Sequence, residues 1–176
     1  MALLGIHTYP DPILREKAES ITEFNEDLRK FARDMAETLY AAPGIGLAAN
    51  QVGVAKQVAV IDVRDDENES LTGLLTLINP KIVETEGEFV MEEGCLSLPE
   101  ERAEVLRAQR VVVQAQDLDG DLVEYEAEDL LAVVFQHEID HLNGTLFFDH
   151  ISALKRSAMK KRLKKLKQQQ QEVANG

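Results

Sequence analysis

The sequence contains only one cysteine, Cys95, among its 176 residues. A lone cysteine cannot form an internal disulfide, and small secreted proteins usually carry several, so we expect a cytoplasmic protein with a free thiol. No apolar run approaches the roughly 18 residues that a membrane-spanning helix needs. The N-terminus also lacks the basic segment and the long apolar stretch of a secretory signal, so neither a membrane location nor export is expected.

Positive charge is scarce outside the C-terminal end of the chain. Acidic residues outnumber basic ones by 32 to 19, and the net charge is −13. Residues 155–176 hold eight of the basic residues and carry a net charge of +7, which leaves −20 on residues 1–154. The acidic body argues against DNA binding through the main fold, whereas the basic end is suited to an anionic partner.

Two kinds of hydrophobic periodicity indicate an α+β fold. Helical spacing predicts helices over 26–41 and 128–142, and a last helix that begins at Ser152 and fades at four glutamines. β-Branched or alternating stretches predict five strands, over 58–63, 74–78, 81–86, 110–116 and 122–126. Strands bracketed by helices favour a mainly antiparallel sheet around the 128–142 helix. We expect a single domain, in which residues 1–150 form the main part and residues 151–176 a basic helix and tail.

The predicted 128–142 helix contains a His-Glu-x-x-His pattern, His137 to His141. Residues four apart share a helical face, so both imidazoles can reach one cation. Glu138 lies about 100° further round the helix, where it can miss the metal and still act as general acid/base on a water bound there. Apolar residues precede His137 on the same face, so the alternative, a chance pair of surface histidines, explains the pattern less well.

A catalytic site of this type needs a third protein ligand. The metzincin proteases would require a histidine where this chain has Phe147, which excludes that assignment. Asp149 and His150 lie close downstream and are weak candidates. Cys95, inside Glu93-Gly94-Cys95-Leu96-Ser97, is a stronger one. A free cysteine is more often just a small buried residue, but beside an incomplete two-histidine motif the ligand interpretation is favoured.

A glycine-rich stretch, residues 43–51, lacks the Gly-Lys-Ser/Thr ending of a phosphate-binding loop. Its small residues instead let the backbone lie close to an extended peptide. Gln51 ends the stretch, and its amide can donate to a developing oxyanion. The alternative is a glutamine that is satisfied by backbone groups in a buried turn.

Three segments together resemble the signature motifs of the peptide deformylases, in order and in approximate spacing: Gly44-Ile45-Gly46-Leu47-Ala48-Ala49-Asn50-Gln51, Glu93-Gly94-Cys95-Leu96-Ser97 and Gln136-His137-Glu138-Ile139-Asp140-His141. The opening 10–15 is also similar to the N-terminal segment of that family, so the resemblance extends from residue 5 to about 155. It implies a hydrolase that removes the formyl group from the N-terminal formylmethionine of new polypeptides and releases formate.

The resemblance also implies a role for each matching residue. Cys95, His137 and His141 would bind one divalent metal, and Glu138 would handle protons. Gln51 and the backbone amide of Leu96 would stabilise the oxyanion. The residues expected to bind the substrate backbone or the methionine side chain are Ile45, Gly46, Gly94, Met91, Arg102, Leu130, Val133 and Val134. The family implies iron(II) in the cell, often replaced in preparations, and this ligand set also suits zinc, nickel or cobalt.

The last predicted helix carries an apolar stripe and many basic residues. We expect Leu154, Met159, Leu163 and Leu166 to lie on one side, with the lysines and arginines around the rest. Bacterial deformylases with such a tail are thought to bind ribosomes through it, so the resemblance implies this partner. The alternative is a solvated helix that keeps an acidic protein in solution.

Two other classes of function stay open at this point. One is a different zincin-type protease or aminopeptidase, in which Asp149, His150 or another carboxylate is the third ligand. The other is a non-catalytic protein with a structural metal and an RNA-binding tail, although a closed fourth ligand is hard to find when no second cysteine exists.

Overall fold

The computed structural model describes residues 3–175, and over this range it contains three α-helices and seven β-strands. The helices are α1 (Glu26–Ala41), α2 (Asp129–Leu142) and α3 (Ala153–Asn175). The strands are β1 (Gly46–Ala48), β2 (Val58–Ile61), β3 (Leu75–Glu86), β4 (Phe89–Cys95), β5 (Leu98–Arg107), β6 (Arg110–Gln116) and β7 (Leu122–Glu128). The predicted α+β class is confirmed.

Five strands form an antiparallel sheet in the order β1-β2-β3-β6-β7. Helix α2 packs on this sheet, and Phe135 and Ile139 lie in one hydrophobic cluster with Leu77 and Val113 from the strands. Helix α1 covers a second cluster through Met35 and Leu39, because its apolar residues recur at helical spacing. The helix that carries the His-Glu-x-x-His pattern is therefore held rigidly against the sheet.

The remaining two strands, β4 and β5, pair as a separate antiparallel hairpin. The sequence did not predict this hairpin, because β5 contains Pro99 and the pair is rich in glutamate, a residue depleted in strands. The prediction of separate strands over 74–78 and 81–86 was also wrong. A single β3 runs through Asn79-Pro80, and Asn79 takes a left-handed φ of 51° at a register shift.

The ends of the first two helices are capped by residue types that commonly serve this purpose. The Asn25 side chain accepts a hydrogen bond from the Leu28 amide at 3.0 Å and begins α1. Helix α2 ends at Leu142, and Gly144 takes a φ of 76° just beyond it. Since a Cβ at Gly144 would collide with the Arg15 carbonyl, a glycine is needed where the chain turns away from the site.

Helix α3 packs on the body through part of the predicted stripe. Met159 and Leu163 are buried in a cluster with Leu14 and Phe148. Leu154 is 83% exposed, so the prediction that it belongs to the apolar stripe was wrong. Only residues further along the helix face the cluster. The helix also does not fade at the glutamines but continues to Asn175. Among the described residues, no helix is both long enough and apolar enough to cross a membrane.

Candidate metal centre

Helix α2 and the end of β4 bring Cys95, His137 and His141 to one point. Their candidate ligand atoms all lie within 4.8 Å of one another. Cys95 Sγ is 3.3 Å from His141 Nε2, and the two Nε2 atoms are 3.2 Å apart. A tetrahedral ion at ordinary zinc distances would separate such S–N and N–N pairs by about 3.6 and 3.4 Å. The spacing of the three donors therefore fits a single divalent metal.

The other two candidates for a third ligand are engaged elsewhere. The Asp149 carboxylate accepts two hydrogen bonds from Arg15, at 2.6 and 3.1 Å. His150 Nε2 lies 2.8 Å from Asp140 Oδ2. Phe147, at the position where a metzincin has its histidine, is buried and stacks on the His137 ring. The geometry therefore favours Cys95 over Asp149 and His150.

Glu138 is buried next to the two histidines, with 3% of its surface exposed. Its Oε1 atom has no hydrogen-bond partner among the described residues. Burial raises the pKa of Glu138 to about 7. A carboxyl group with a pKa near neutrality and one unsatisfied oxygen is suited to accept and return a proton.

Gly46 on β1 makes the space that Glu138 occupies. A Cβ at Gly46 would overlap the Glu138 carboxylate at Oε2. The sequence suggested that small residues in this stretch serve a close approach to a peptide, and the structure adds a second reason for glycine here. Strand β1 and the carboxylate are thus in direct contact.

The Gln51 side chain is oriented by a backbone donor. Its Oε1 accepts a hydrogen bond from the Ala48 amide at 3.0 Å, and an amide N–H can only donate. The Nε2 end therefore faces the other way, 3.1 Å from Ser97 Oγ and 3.6 Å from Cys95 Sγ. Gln51 is buried, and the N–H groups of this predicted oxyanion donor point towards Ser97 and Cys95.

Glu93 and Arg107 belong to the site, and the sequence interpretation missed both of them. Glu93 Oε1 lies 2.9 Å from His137 Nδ1, so it fixes the imidazole with Nε2 turned to the other ligands. Hydrogen bonds from Arg107 and His137 outweigh the effect of burial and lower the pKa of Glu93. Burial lowers the pKa of His141 well below its ordinary value, which keeps that ring neutral and able to donate a lone pair.

The predicted substrate-binding residues lie in three parts of the fold: at β1, on α2 and on the β4–β5 hairpin. Ile45, Leu130 and Val134 belong to or pack on the same hydrophobic cluster between α2 and the sheet. Met91, Gly94 and Arg102 lie on the β4–β5 hairpin, where Gly94 pairs with Arg102. The Arg102 guanidinium covers Gly94 and donates to Glu92 at 2.7 Å. The other members of the predicted set are Val133, which is buried on α2, and Gly46 on β1.

A thiol and two imidazoles that converge beside a buried carboxylate, on an α+β scaffold, define a metal-dependent hydrolase. The family model described as "Polypeptide deformylase" matches residues 3–157. The chain belongs to this family, whose members are metal-dependent enzymes that remove the N-formyl group from nascent peptides. The predicted family and enzyme class are therefore confirmed.

Relatives and solved structures agree with this assignment. Peptide deformylases of Acidobacterium capsulatum and Syntrophobacter fumaroxidans are 51% and 52% identical to the chain, and each match covers 94% of the chain and 96% of the relative. The crystal structure of a peptide deformylase from Legionella pneumophila has a TM-score of 0.87 at 42% identity, covering 96% of this chain and 98% of that one. The enzyme from Ehrlichia chaffeensis in complex with actinonin also has a TM-score of 0.87, at 40% identity, covering 94% and 98%.

Proposed function

We propose that Cys95, His137 and His141 hold one divalent metal at which this chain removes the formyl group from N-terminal formylmethionine. The observation that carries this proposal is the convergence of three donor atoms beside a buried carboxylate with an unsatisfied oxygen. When bound there, the metal supplies Lewis acidity and lowers the pKa of water. The remaining chemistry is assigned to side chains and amides of this chain.

Glu138 moves the protons in this proposal. Its carboxylate takes a proton from the attacking water and returns it to the nitrogen of the methionine as the formyl carbon–nitrogen bond breaks. The products are formate and a free N-terminal amine. The raised pKa of Glu138, caused by its burial, supports this role, because a carboxyl group that titrates nearer neutrality can both accept and return a proton.

Gln51 and Leu96 stabilise the charge that develops on the formyl oxygen. Gln51 Nε2 and the Leu96 backbone N–H are the proposed donors. In support, the Ala48 amide holds the Gln51 carboxamide with its N–H groups towards Cys95 and Ser97, at the end of β4. Leu96 directly follows the proposed cysteine ligand, which places its amide at the same end of β4.

The peptide is proposed to lie between β1 and the β4–β5 hairpin. Backbone groups of Ile45, Gly46 and Gly94 would pair with the substrate backbone. The methionine side chain would enter a pocket walled by Met91, Arg102, Leu130, Val133 and Val134. The contact of Gly46 with Glu138 supports this arrangement, because a peptide paired with β1 is then next to the proposed base.

Formate release tests the function directly. A formyl-Met peptide should yield formate, and a chelator should abolish the activity until a divalent metal is restored. An acetyl-Met peptide of the same sequence is the matched control, and it should react far more slowly if the site is built for a formyl group. Metal-dependent cleavage inside an unformylated peptide, without formate release, would instead indicate a protease.

Iron(II) is the metal proposed for the cell, with zinc, nickel or cobalt able to replace it. A thiolate on a redox-active ion is exposed to oxygen chemistry. Iron-loaded protein should therefore lose activity in air, while the nickel- and zinc-loaded forms keep theirs over the same period. Activity and thiol content would be followed together after each form is exposed to air. Equal decay of all three forms would contradict iron sensitivity and leave the hydrolase proposal intact.

The proposed organisation is a single cytoplasmic domain, with residues 1–150 forming the catalytic part and residues 151–176 its basic helix and tail. The packing of Met159 and Leu163 into a cluster with Phe148 supports the view that α3 belongs to the same domain. Bidentate hydrogen bonds from Arg162 to Glu101, at 2.6 and 3.0 Å, add to this attachment.

We also propose that α3 binds the ribosome, through Lys161, Lys164 and Lys165. These three lysines are exposed and share one face of the helix, since they are spaced three and four residues apart. Other basic residues of α3 are used within the molecule: Lys167 donates to the Thr8 carbonyl, and Lys160 lies over the Phe148 ring. The acidic body would be repelled by RNA, so this face is the favourable contact.

The triple change of Lys161, Lys164 and Lys165 to Gln should weaken co-sedimentation with ribosomes and make it less sensitive to salt. Loss of up to three phosphate contacts would reduce the salt slope of binding by about 2–3. Hydrolysis of a short formyl-Met peptide should not change. Truncation after Ser152 is a poorer test, because it would also remove the buried Met159 and Leu163.

The matched control changes Lys17, Lys56 and Lys81 to Gln, which removes the same charge from exposed positions on the body. That variant should sediment like the parent chain. If the two triple variants sediment equally well, α3 is not the docking element and serves as a solvated helix.

A further inference from the structure

One buried guanidinium contacts carboxylates from both elements that carry the proposed metal ligands. Arg107 is on β5, and only 4% of its side chain is exposed. Its Nε and Nη2 atoms donate to the two oxygens of Glu93 on β4, each at 2.8 Å. Its Nη1 donates to Asp140 Oδ2 on α2 at 2.6 Å. A planar fork with five donors can satisfy both carboxylates at once.

Each of the two carboxylates is tied to a ligand. Glu93 lies two residues before Cys95 on the same strand, and its Oε1 also accepts the His137 Nδ1 hydrogen bond at 2.9 Å. Asp140 directly precedes His141 on α2. A shift of the guanidinium would therefore change the positions of all three ligands, because it would move both the strand and the helix that carry them.

Stability alone is a weak reason for burying these charges. Removing an arginine and two carboxylates from water carries a large desolvation cost, and well-packed apolar residues often stabilise a core as well or better. Buried ionic groups are best justified where they fix one arrangement among several. Here the arrangement they fix is the approach of β4 to α2.

We propose that Arg107 is a positioning residue, which holds Glu93 and Asp140 so that Cys95, His137 and His141 converge on the metal. The inference rests on the ligand set given under the proposed function. Arg107 has no contact with the reacting atoms in this scheme and acts through the two carboxylates. The outer end of the network is His150, whose Nε2 lies 2.8 Å from the same Asp140 oxygen.

The first test is Arg107→Lys, which keeps the positive charge but cannot form the paired hydrogen bonds of a guanidinium. Metal affinity, measured by equilibrium competition with a chelator, should fall by about 10–100-fold, the range expected when an outer partner of a ligand is lost. The visible absorption bands of the cobalt-substituted protein should also shift, because the ligand geometry changes. Arg162→Lys is the matched control, since Arg162 also forms two hydrogen bonds to a glutamate, but that residue is Glu101, which is neither of the two carboxylates in this network.

The possible outcomes distinguish the proposed ligand set from the proposed role of Arg107. Parent protein that never holds stoichiometric metal would overturn the ligand set itself. If the parent protein holds full metal, and the Arg107→Lys variant resists the chelator equally well and has the same cobalt spectrum, only the proposed role of Arg107 is overturned. If Arg107→Lys does not fold, Asp140→Asn removes the second carboxylate charge at a partly exposed position. A metal affinity lower by about 10-fold in that variant supports the proposal, and an affinity equal to that of the parent overturns it.

Discussion

Glu138→Gln should lower turnover of a formyl-Met peptide by roughly 10²–10⁴-fold while the protein keeps its metal. This corresponds to about 2.7–5.5 kcal/mol of lost transition-state stabilisation. The glutamine has the same shape and can still form hydrogen bonds, but it cannot take the proton from water. Because burial raises the pKa of Glu138, the charged side chain is unfavourable in the core, so the neutral variant should fold at least as stably.

The measurement is kcat and metal content on the same preparation. Glu126→Gln is the matched control, because Glu126 is exposed on β7 and forms only a surface contact with Arg110 at 3.3 Å. It should retain both activity and metal. If Glu138→Gln loses its metal together with its activity, Glu138 acts as a ligand and the division of roles proposed above is wrong.

Cys95→Ser should remove most of the bound metal and, with it, the activity. A serine hydroxyl is about the same size as the thiol but is far harder to deprotonate, and soft thiolate donors are what bind late divalent ions strongly. Metal affinity should fall by at least about 100-fold, beyond the range expected for an outer partner. Cys95 is only partly buried, so the fold should be recoverable.

Asp149→Asn is the comparison for Cys95→Ser, since Asp149 was the rival third ligand. Its carboxylate is engaged by Arg15, so the variant should keep stoichiometric metal even if it melts earlier. Metal analysis after gel filtration measures both variants. Full metal in Cys95→Ser, or its loss in Asp149→Asn, would move the third ligand away from Cys95.

Most of what could be predicted from the sequence came from local patterns. The i, i+4 spacing of His137 and His141 needs only a helix, and helix α2 is where the periodicity placed it. The choice of Cys95 as third ligand came from counting candidate donors and from a family resemblance. Its distance of 3.3 Å from His141 could not be read from the chain, because it depends on how β4 meets α2.

The parts that the sequence did not predict depend on long-range partners. A glutamate and an arginine in a strand ordinarily face solvent, and Glu93 with Arg107 is buried only because each satisfies the other across the hairpin. The contact between Gly46 and Glu138 is also a long-range feature, and no local pattern in the sequence predicts it. Leu154 is the opposite case: the pattern placed it in an apolar stripe, and the tertiary structure leaves it in water.

The three proposed ligands come from two separate elements, and this affects the free energy of unfolding. Cys95 ends a strand, and the histidines lie on a helix more than forty residues later in the chain. An ion shared by the two would act as a removable cross-link that exists only in the folded chain. At a free concentration 1,000 times its dissociation constant, such an ion would add about 4.1 kcal/mol to the free energy of unfolding. The persistence of the folded protein would then depend on the metal supply around it.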